Sequence, residues 1–236
     1  MALLELQHVE TYYGESHILF DLSLEVEARE VVCLLGRNGA GKTTTVRSII
    51  GLTPPRTGRV VLRGQDLTGL PAYRIARLGI GFVPEDRRVF PNLTVYENLE
   101  VARRTWAGDA PTTWTAERVF ELFPILAQRR RQLGGTLSGG EQQMLTIART
   151  LMGSPAVLLL DEPSEGLAPL VVESLREQLE RLKASGITMV LAEQNVRFVS
   201  ELGTRVYVLE NGAVRYRGTM PDFLAAAEIR QAYLAV

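Results

Sequence analysis

Two short stretches of this chain are apolar without a break, Val31-Val32-Cys33-Leu34-Leu35 and Ala156-Val157-Leu158-Leu159-Leu160. Runs of that length suit strands buried on both faces, as in a parallel sheet covered by helices. Elsewhere the pattern alternates: Leu22-Ser23-Leu24-Glu25-Val26-Glu27 reads as a half-exposed, antiparallel strand. Residues 4–9 predict a short strand followed by a loop through Tyr12, Tyr13 and Gly14, and residues 59–62, 80–83 and 187–192 predict three more strands. Residues 205–210 and 213–217 flank Asn211-Gly212, the signal for a hairpin with a type I′ turn. Helical patterning covers 42–50 (closed by Gly51), 95–104, 114–128 and 170–184, with a loop at 106–113. Strands interleaved with helices predict an α/β fold, a mostly parallel sheet with flanking helices and an antiparallel β edge. Residues 85–152 read as an inserted helical lobe, so the expectation is one domain over 1–236 whose core is 1–84 and 153–236.

Composition narrows this only slightly. The 236 residues are 46% hydrophobic and 22% charged, enough for a substantial core, and the net charge of −1 offers no global field for a nucleic acid. No signal peptide opens the sequence, and no apolar run approaches the ~18 residues of a membrane span. Any membrane role is therefore expected to come through a partner. The single cysteine, Cys33, lies inside an apolar strand and reads as a small buried thiol in a reducing compartment. Among 26 basic residues only Lys42 and Lys183 are lysines. The chain has kept Lys42 where a compact ammonium suits a phosphate.

That place is Gly36-Arg37-Asn38-Gly39-Ala40-Gly41-Lys42-Thr43, a full G-x-x-x-x-G-K-[ST] phosphate loop between a buried strand and a helix. Its glycines let backbone N–H groups converge on phosphate oxygens, and the helix start through Thr44 adds partial positive charge. Lys42 reaches the terminal phosphates, and the Thr43 hydroxyl can ligate Mg²⁺. Asp161 and Glu162 close the second apolar strand. One carboxylate there can hold magnesium while the other polarises an attacking water. A plain Asp-Glu-Pro turn leaving a strand is the bland alternative. Ser138-Gly139-Gly140-Glu141 has capping-box spacing before a helical apolar stripe. An ordinary capped helix fits it. Two glycines in a first turn, each costing about 1 kcal/mol, also suit a ligand touching the backbone.

Together these three motifs resemble the phosphate loop, signature motif and acidic strand of ATP-binding-cassette ATPases, over essentially the whole chain and in the right order. The resemblance implies a P-loop NTPase core and a dimer with a second ABC ATPase subunit, in which Ser138, Gly139, Gly140 and Glu141 serve the partner's ATP. It assigns Tyr13 to stacking on adenine, Glu162 to the general base, and Thr43, Asp161 and Glu85 to Mg²⁺. Residues 84–90, 161–169, 193–195, 207–212 and 232–234 are similar to the second ATPase subunit of Liv-type branched-chain amino acid importers. Residues 12–14 and 16–19 resemble the urea and amide branch. Implied partners are integral-membrane permease subunits, contacted around residues 85–94, and indirectly an external solute-binding protein. The implied location is peripheral, on the cytoplasmic face of the membrane.

Three positions depart from the family pattern: Glu85 stands for a glutamine, Gln194 for the switch histidine, and Ala168 for an aspartate. An amide can donate to a γ-phosphate but cannot become a cation. Gln194 is therefore expected to act as the γ-phosphate sensor, and to slow or reshape hydrolysis without abolishing it. A non-transport ATPase of the same class, a nucleotide-gated scaffold with little hydrolysis, and an exporter remain the alternatives.

Overall fold

The computed structural model describes residues 2–103 and 114–234. In chain order the elements are β1 (Leu4–Tyr13), β2 (Ser16–Val26), β3 (Val31–Leu35), α1 (Lys42–Ile49), β4 (Thr57–Leu62), β5 (Gln65–Asp66), α2 (Ala72–Arg77) and β6 (Ile80–Val83). Then come α3 (Val95–Ala102), α4 (Ala116–Leu122), α5 (Pro124–Gln128) and α6 (Gly139–Leu151). The chain closes with β7 (Val157–Asp161), α7 (Pro169–Ala184), β8 (Thr188–Glu193), α8 (Val196–Ser200), β9 (Arg205–Glu210), β10 (Ala213–Thr219), α9 (Met220–Ala225) and α10 (Ala227–Leu234).

Two sheets form. One is antiparallel, in the order β2-β1-β4-β5; the other runs β10-β9-β3-β8-β7-β6, parallel except for the β10 edge. Period-2 alternation divides the central strands between two cores. Val32 and Leu34 of β3, Leu159 of β7 and Val190 of β8 face the antiparallel sheet and α1. Cys33 and Leu35, Leu158 and Leu160, and Met189 and Leu191 face the helices of the opposite layer. All are fully buried, and each such side chain contributes roughly 1.5–3 kcal/mol. Burial also pushes the Cys33 thiol far above its ordinary pKa, so it is an inert packing group.

Helices α3–α6 enter the chain between β6 and β7, yet they own no separate core. Val95, Leu99, Val119, Phe123 and Leu126 belong to the same buried cluster as Leu158, Leu160 and Leu175. The expected 114–128 helix is two helices, because Phe123 (φ −117°, ψ 76°) precedes Pro124 and is excluded from the helical region. The expected strand at 4–9 continues to Tyr13. Tyr12 and Tyr13, expected in a loop, instead pair with His17 and Ser16, and the turn is confined to Gly14-Glu15. Bulges near Val9 and Thr11 break the alternation there, which hid the strand from pattern reading. Short α2, α8, α9 and α10 carried no clear periodicity. The 106–113 loop and the Arg104 end of a helix lie outside the described residues. Among the described residues, no helix is long and apolar enough to cross a membrane.

Candidate functional site

Parallel strands β3, β8, β7 and β6 end on one edge of the sheet, the edge where open α/β sheets bind ligands. Four chain segments leave from it: the 36–43 loop after β3, Glu85 after β6, Asp161-Glu162 at β7 and Glu193-Gln194 at β8. Register aligns them, with Leu35 opposite Glu193 and Asp161 opposite Ala192.

The phosphate loop needs its glycines for stated reasons. Gly41 sits at φ +108°, a region closed to side chains, and serves as N-cap of α1. A Cβ on Gly36 would lie 2.6 Å from the Leu209 carbonyl oxygen. Helix α1 starts without a side-chain cap and without an acid in its first turn, so its first amides and dipole are directed at the loop. Lys42 is 3% exposed and its ammonium donates to the carbonyls of Gly36 (2.9 Å) and Arg37 (3.3 Å). The same Nζ lies 3.1 Å from Glu162 Oε1. A buried ammonium needs a counter-charge, and here Glu162 supplies it.

Thr43 Oγ1 donates to Asp161 Oδ1 at 2.9 Å. Asp161 is almost fully buried, and burial pushes its pKa up to about 6. The charges of Glu162 and Glu85 contribute to that rise, and the Thr43 hydrogen bond and Lys42 work against it. Glu162 adopts φ +44°, a strained left-handed conformation for a non-glycine residue, and its N–H donates to the Ala192 carbonyl at 2.8 Å. Buried Glu193 accepts from the amides of Ser164 (3.0 Å), Gln194 (3.1 Å) and Asn195 (3.3 Å), fixing the backbone beside Gln194. Gln194 is exposed, and its Nε2 donates to Glu165 Oε2 at 3.1 Å.

Residues 36–43, Asp161 and Glu162 therefore meet directly, Gln194 joins them through Glu165, and Glu85 acts on Asp161 by charge. Tyr13 is 44% exposed at the end of β1, with no ring contact among the described residues. Ser138 and Glu141 form a complete capping box on α6, with Ser138 N–H to Glu141 at 2.9 Å and Glu141 N–H to Ser138 Oγ at 3.3 Å. No hydrogen bond or ion pair among the described residues joins 138–141 to the phosphate loop. Within the chain both glycines have packing partners: Val171 lies against Gly140, and the Arg87 guanidinium covers Gly139.

Sequence reasoning missed the roles of Glu165 and Glu193, and it predicted the 211–212 hairpin turn without its contact with the loop. Gly212 N–H donates to the Ala40 carbonyl at 3.0 Å, and Gly212 Cα would lie 3.2 Å from a Cβ on Gly41. Nothing local marks these contacts; each joins residues distant in sequence. Near Glu85, buried Asn98 ties down the 90–94 segment by accepting from Phe90 N–H and donating to the carbonyls of Phe90, Leu93 and Thr94. Beside this segment a cleft of about 480 Å³ is lined by Leu52, Tyr73, Phe82, Val101 and Arg149.

Comparison with known proteins agrees with this geometry. Residues 19–165 match the family model described as ABC transporter. The high-affinity branched-chain amino acid transport ATP-binding protein BraG of Pseudomonas aeruginosa is 44% identical over 98% of this chain and 99% of its own length. The lipopolysaccharide export system ATP-binding protein LptB of Haemophilus influenzae is 34% identical over 99% and 98%. A crystal structure of the ADP conformation of an ATP-binding cassette of an ABC transporter superposes with TM-score 0.82 at 26% identity, covering all of both chains. A phosphate loop on a helix start, faced by an acidic strand end, in a chain related end to end to such subunits leaves one assignment: this protein belongs to the ABC transporter family, as an ATP-binding ATPase subunit.

Proposed function

We propose that the chain energises an importer of branched-chain amino acids or related small amides, and that it works at the cytoplasmic face of a membrane against integral-membrane permease subunits. The 44% identity to BraG along the whole chain carries the solute reading, ahead of the 34% to the export protein LptB. An external binding protein would deliver the solute. The working unit is a dimer with a second ABC ATPase, with Ser138, Gly139, Gly140 and Glu141 set on the partner's nucleotide and Tyr13 on the chain's own adenine. A related cassette has been seen as a dimer after hydrolysis, bound to ADP and phosphate (26% identity, TM-score 0.78). Residues 85–152 form the lobe that meets the permease, through the 85–94 segment and the cleft lined by Tyr73, Val101 and Arg149.

The Lys42–Glu162 pair carries the mechanism. Phosphate oxygens entering the loop replace Glu162 as the counter-charge of Lys42, which releases Glu162 to accept the proton of the attacking water. Gln194 donates to the γ-phosphate. Thr43 Oγ1 and Asp161 Oδ1, adjacent hard oxygen donors in a buried site where Lys42 only partly offsets the acids, fit Mg²⁺, with Glu85 as an outer acid. When bound, Mg²⁺ neutralises charge on the β- and γ-phosphates. Among the described residues no cluster of three or more acids, histidines or cysteines is arranged to cage a metal, which suits an ion held mainly by its nucleotide.

The test is ATP hydrolysis and solute uptake by the assembled transporter in vesicles, for wild type and Glu162→Gln. ATP-dependent leucine uptake lost in the variant supports the reading. Hydrolysis without uptake of any branched-chain amino acid or amide counts against the solute, and ATP binding without turnover points to the scaffold.

A further inference from the structure

The proposed role of Gln194 needs one end of its amide and not the other. Nε2 donates and Oε1 accepts, so a flipped amide would present a lone pair to an anionic γ-phosphate. Glu193 fixes the backbone of 194 and 195, but the Gln194 side chain is exposed and its amide is not held by its own strand end. Glu165 resolves the ambiguity. Its Oε2 lies 3.1 Å from Gln194 Nε2, and a carboxylate oxygen in that place accepts only from the amino end, leaving the second N–H of Nε2 uncommitted.

Glu165 is itself located from three sides. Its N–H donates to the Glu162 carbonyl at 3.1 Å, Arg87 Nη2 donates to its carbonyl at 3.0 Å, and its carboxyl is hydrogen-bonded to that of Glu162. That last bond holds the Glu165 carboxyl above its ordinary range, with burial and the charges of Glu162, Glu85 and Glu193 adding to it. The oxygen facing Gln194 is the acceptor of the Nε2 hydrogen bond. A continuous chain of contacts runs Lys42–Glu162–Glu165–Gln194.

We propose that Glu165 is a positioning residue for ATP hydrolysis, holding the Gln194 amide with its N–H end available to the γ-phosphate and registering it against Glu162. The inference rests on the reading of Gln194 as γ-phosphate donor. Glu165 acts through Gln194. Because it is exposed, its replacement leaves the core intact.

Steady-state hydrolysis by the assembled transporter tests this with Gln194→Ala, Glu165→Leu, Glu165→Gln and the Gln194→Ala/Glu165→Leu double variant, with melting temperatures as a check on folding. Expected is a kcat about tenfold lower for Glu165→Leu with KM for ATP within about twofold, the pattern of a group acting on the transition state and not on ground-state binding. Glu165→Gln, whose carbonyl still accepts from Nε2, should recover most of the rate. In the Gln194→Ala background Glu165→Leu should add nothing. A wild-type rate for Glu165→Leu, or a full loss that persists in the Gln194→Ala background, overturns the positioning role while leaving the sensor reading intact. A wild-type rate for Gln194→Ala overturns the sensor reading and this inference with it.

Discussion

Replacing Asp161 by asparagine should make the nucleotide-free, metal-free chain more stable, and more so as pH rises. In the folded chain burial lifts the Asp161 pKa from 3.8 to about 6. Between those values the folded protein holds more protons than the unfolded one, so stability falls as pH rises through the window and the whole penalty is present above it. About two pKa units at 1.36 kcal/mol each give ~3 kcal/mol near neutrality and above. At about pH 4.5 the same linkage leaves ~1 kcal/mol. Asparagine keeps the shape and still accepts the Thr43 hydroxyl at its Oδ1, so the substitution removes mainly the charge. For a chain of this length ~3 kcal/mol corresponds to a melting temperature higher by about 5–10 °C. The assay is thermal unfolding of both proteins with chelator present, at about pH 4.5 and about pH 8. Equal gaps at the two pH values, or a variant that melts lower than wild type at the higher one, would refute the claim that Asp161 is a charge held against its solvation.

Glu162→Gln should lower steady-state hydrolysis about 10²–10⁴-fold while retaining ATP, read by paired turnover and nucleotide-binding assays. Ser138→Ala removes the acceptor for the Glu141 N–H and should cost ~1 kcal/mol in denaturant unfolding, whatever its effect on turnover. Gly212→Ala forces a side chain onto φ +74° against the Ile18 carbonyl. It should cost more than ~1 kcal/mol and also weaken ATP binding, although residue 212 makes no proposed contact with nucleotide.

The two unbroken apolar runs were the most legible part of the chain, because a strand buried on both faces leaves no polar residue to confuse the pattern. Both became central strands, and each delivered its chemistry at the residue where the apolar run stopped. The phosphate loop was legible for a related reason: its backbone conformation admits few residues besides glycine, so the constraint is written locally. Tyr12 and Tyr13 were misread because bulges shift the register and erase alternation. Glu165 and Glu193 were illegible because their importance lies in partners 29 residues away, at 194 and 164 respectively. No single-residue signal separates such acids from solvated surface charges.

The contact between the 205–219 hairpin and the phosphate loop separates the motif from the working cradle. The stretch that identifies the family ends at residue 165, yet Gly212 braces Ala40 and Gly41, and Leu209 closes over Gly36. A fragment cut after residue 165 would keep every phosphate-binding letter and lose the brace that shapes them. The brace is made by the chain's own backbone, so the shape of the loop does not rest on nucleotide contacts alone. Coupling of this kind is reciprocal. Phosphate in the cradle must slow opening of the hairpin as surely as the hairpin shapes the cradle, and amide exchange in β9 and β10 becomes a gauge of occupancy at a site those strands do not line.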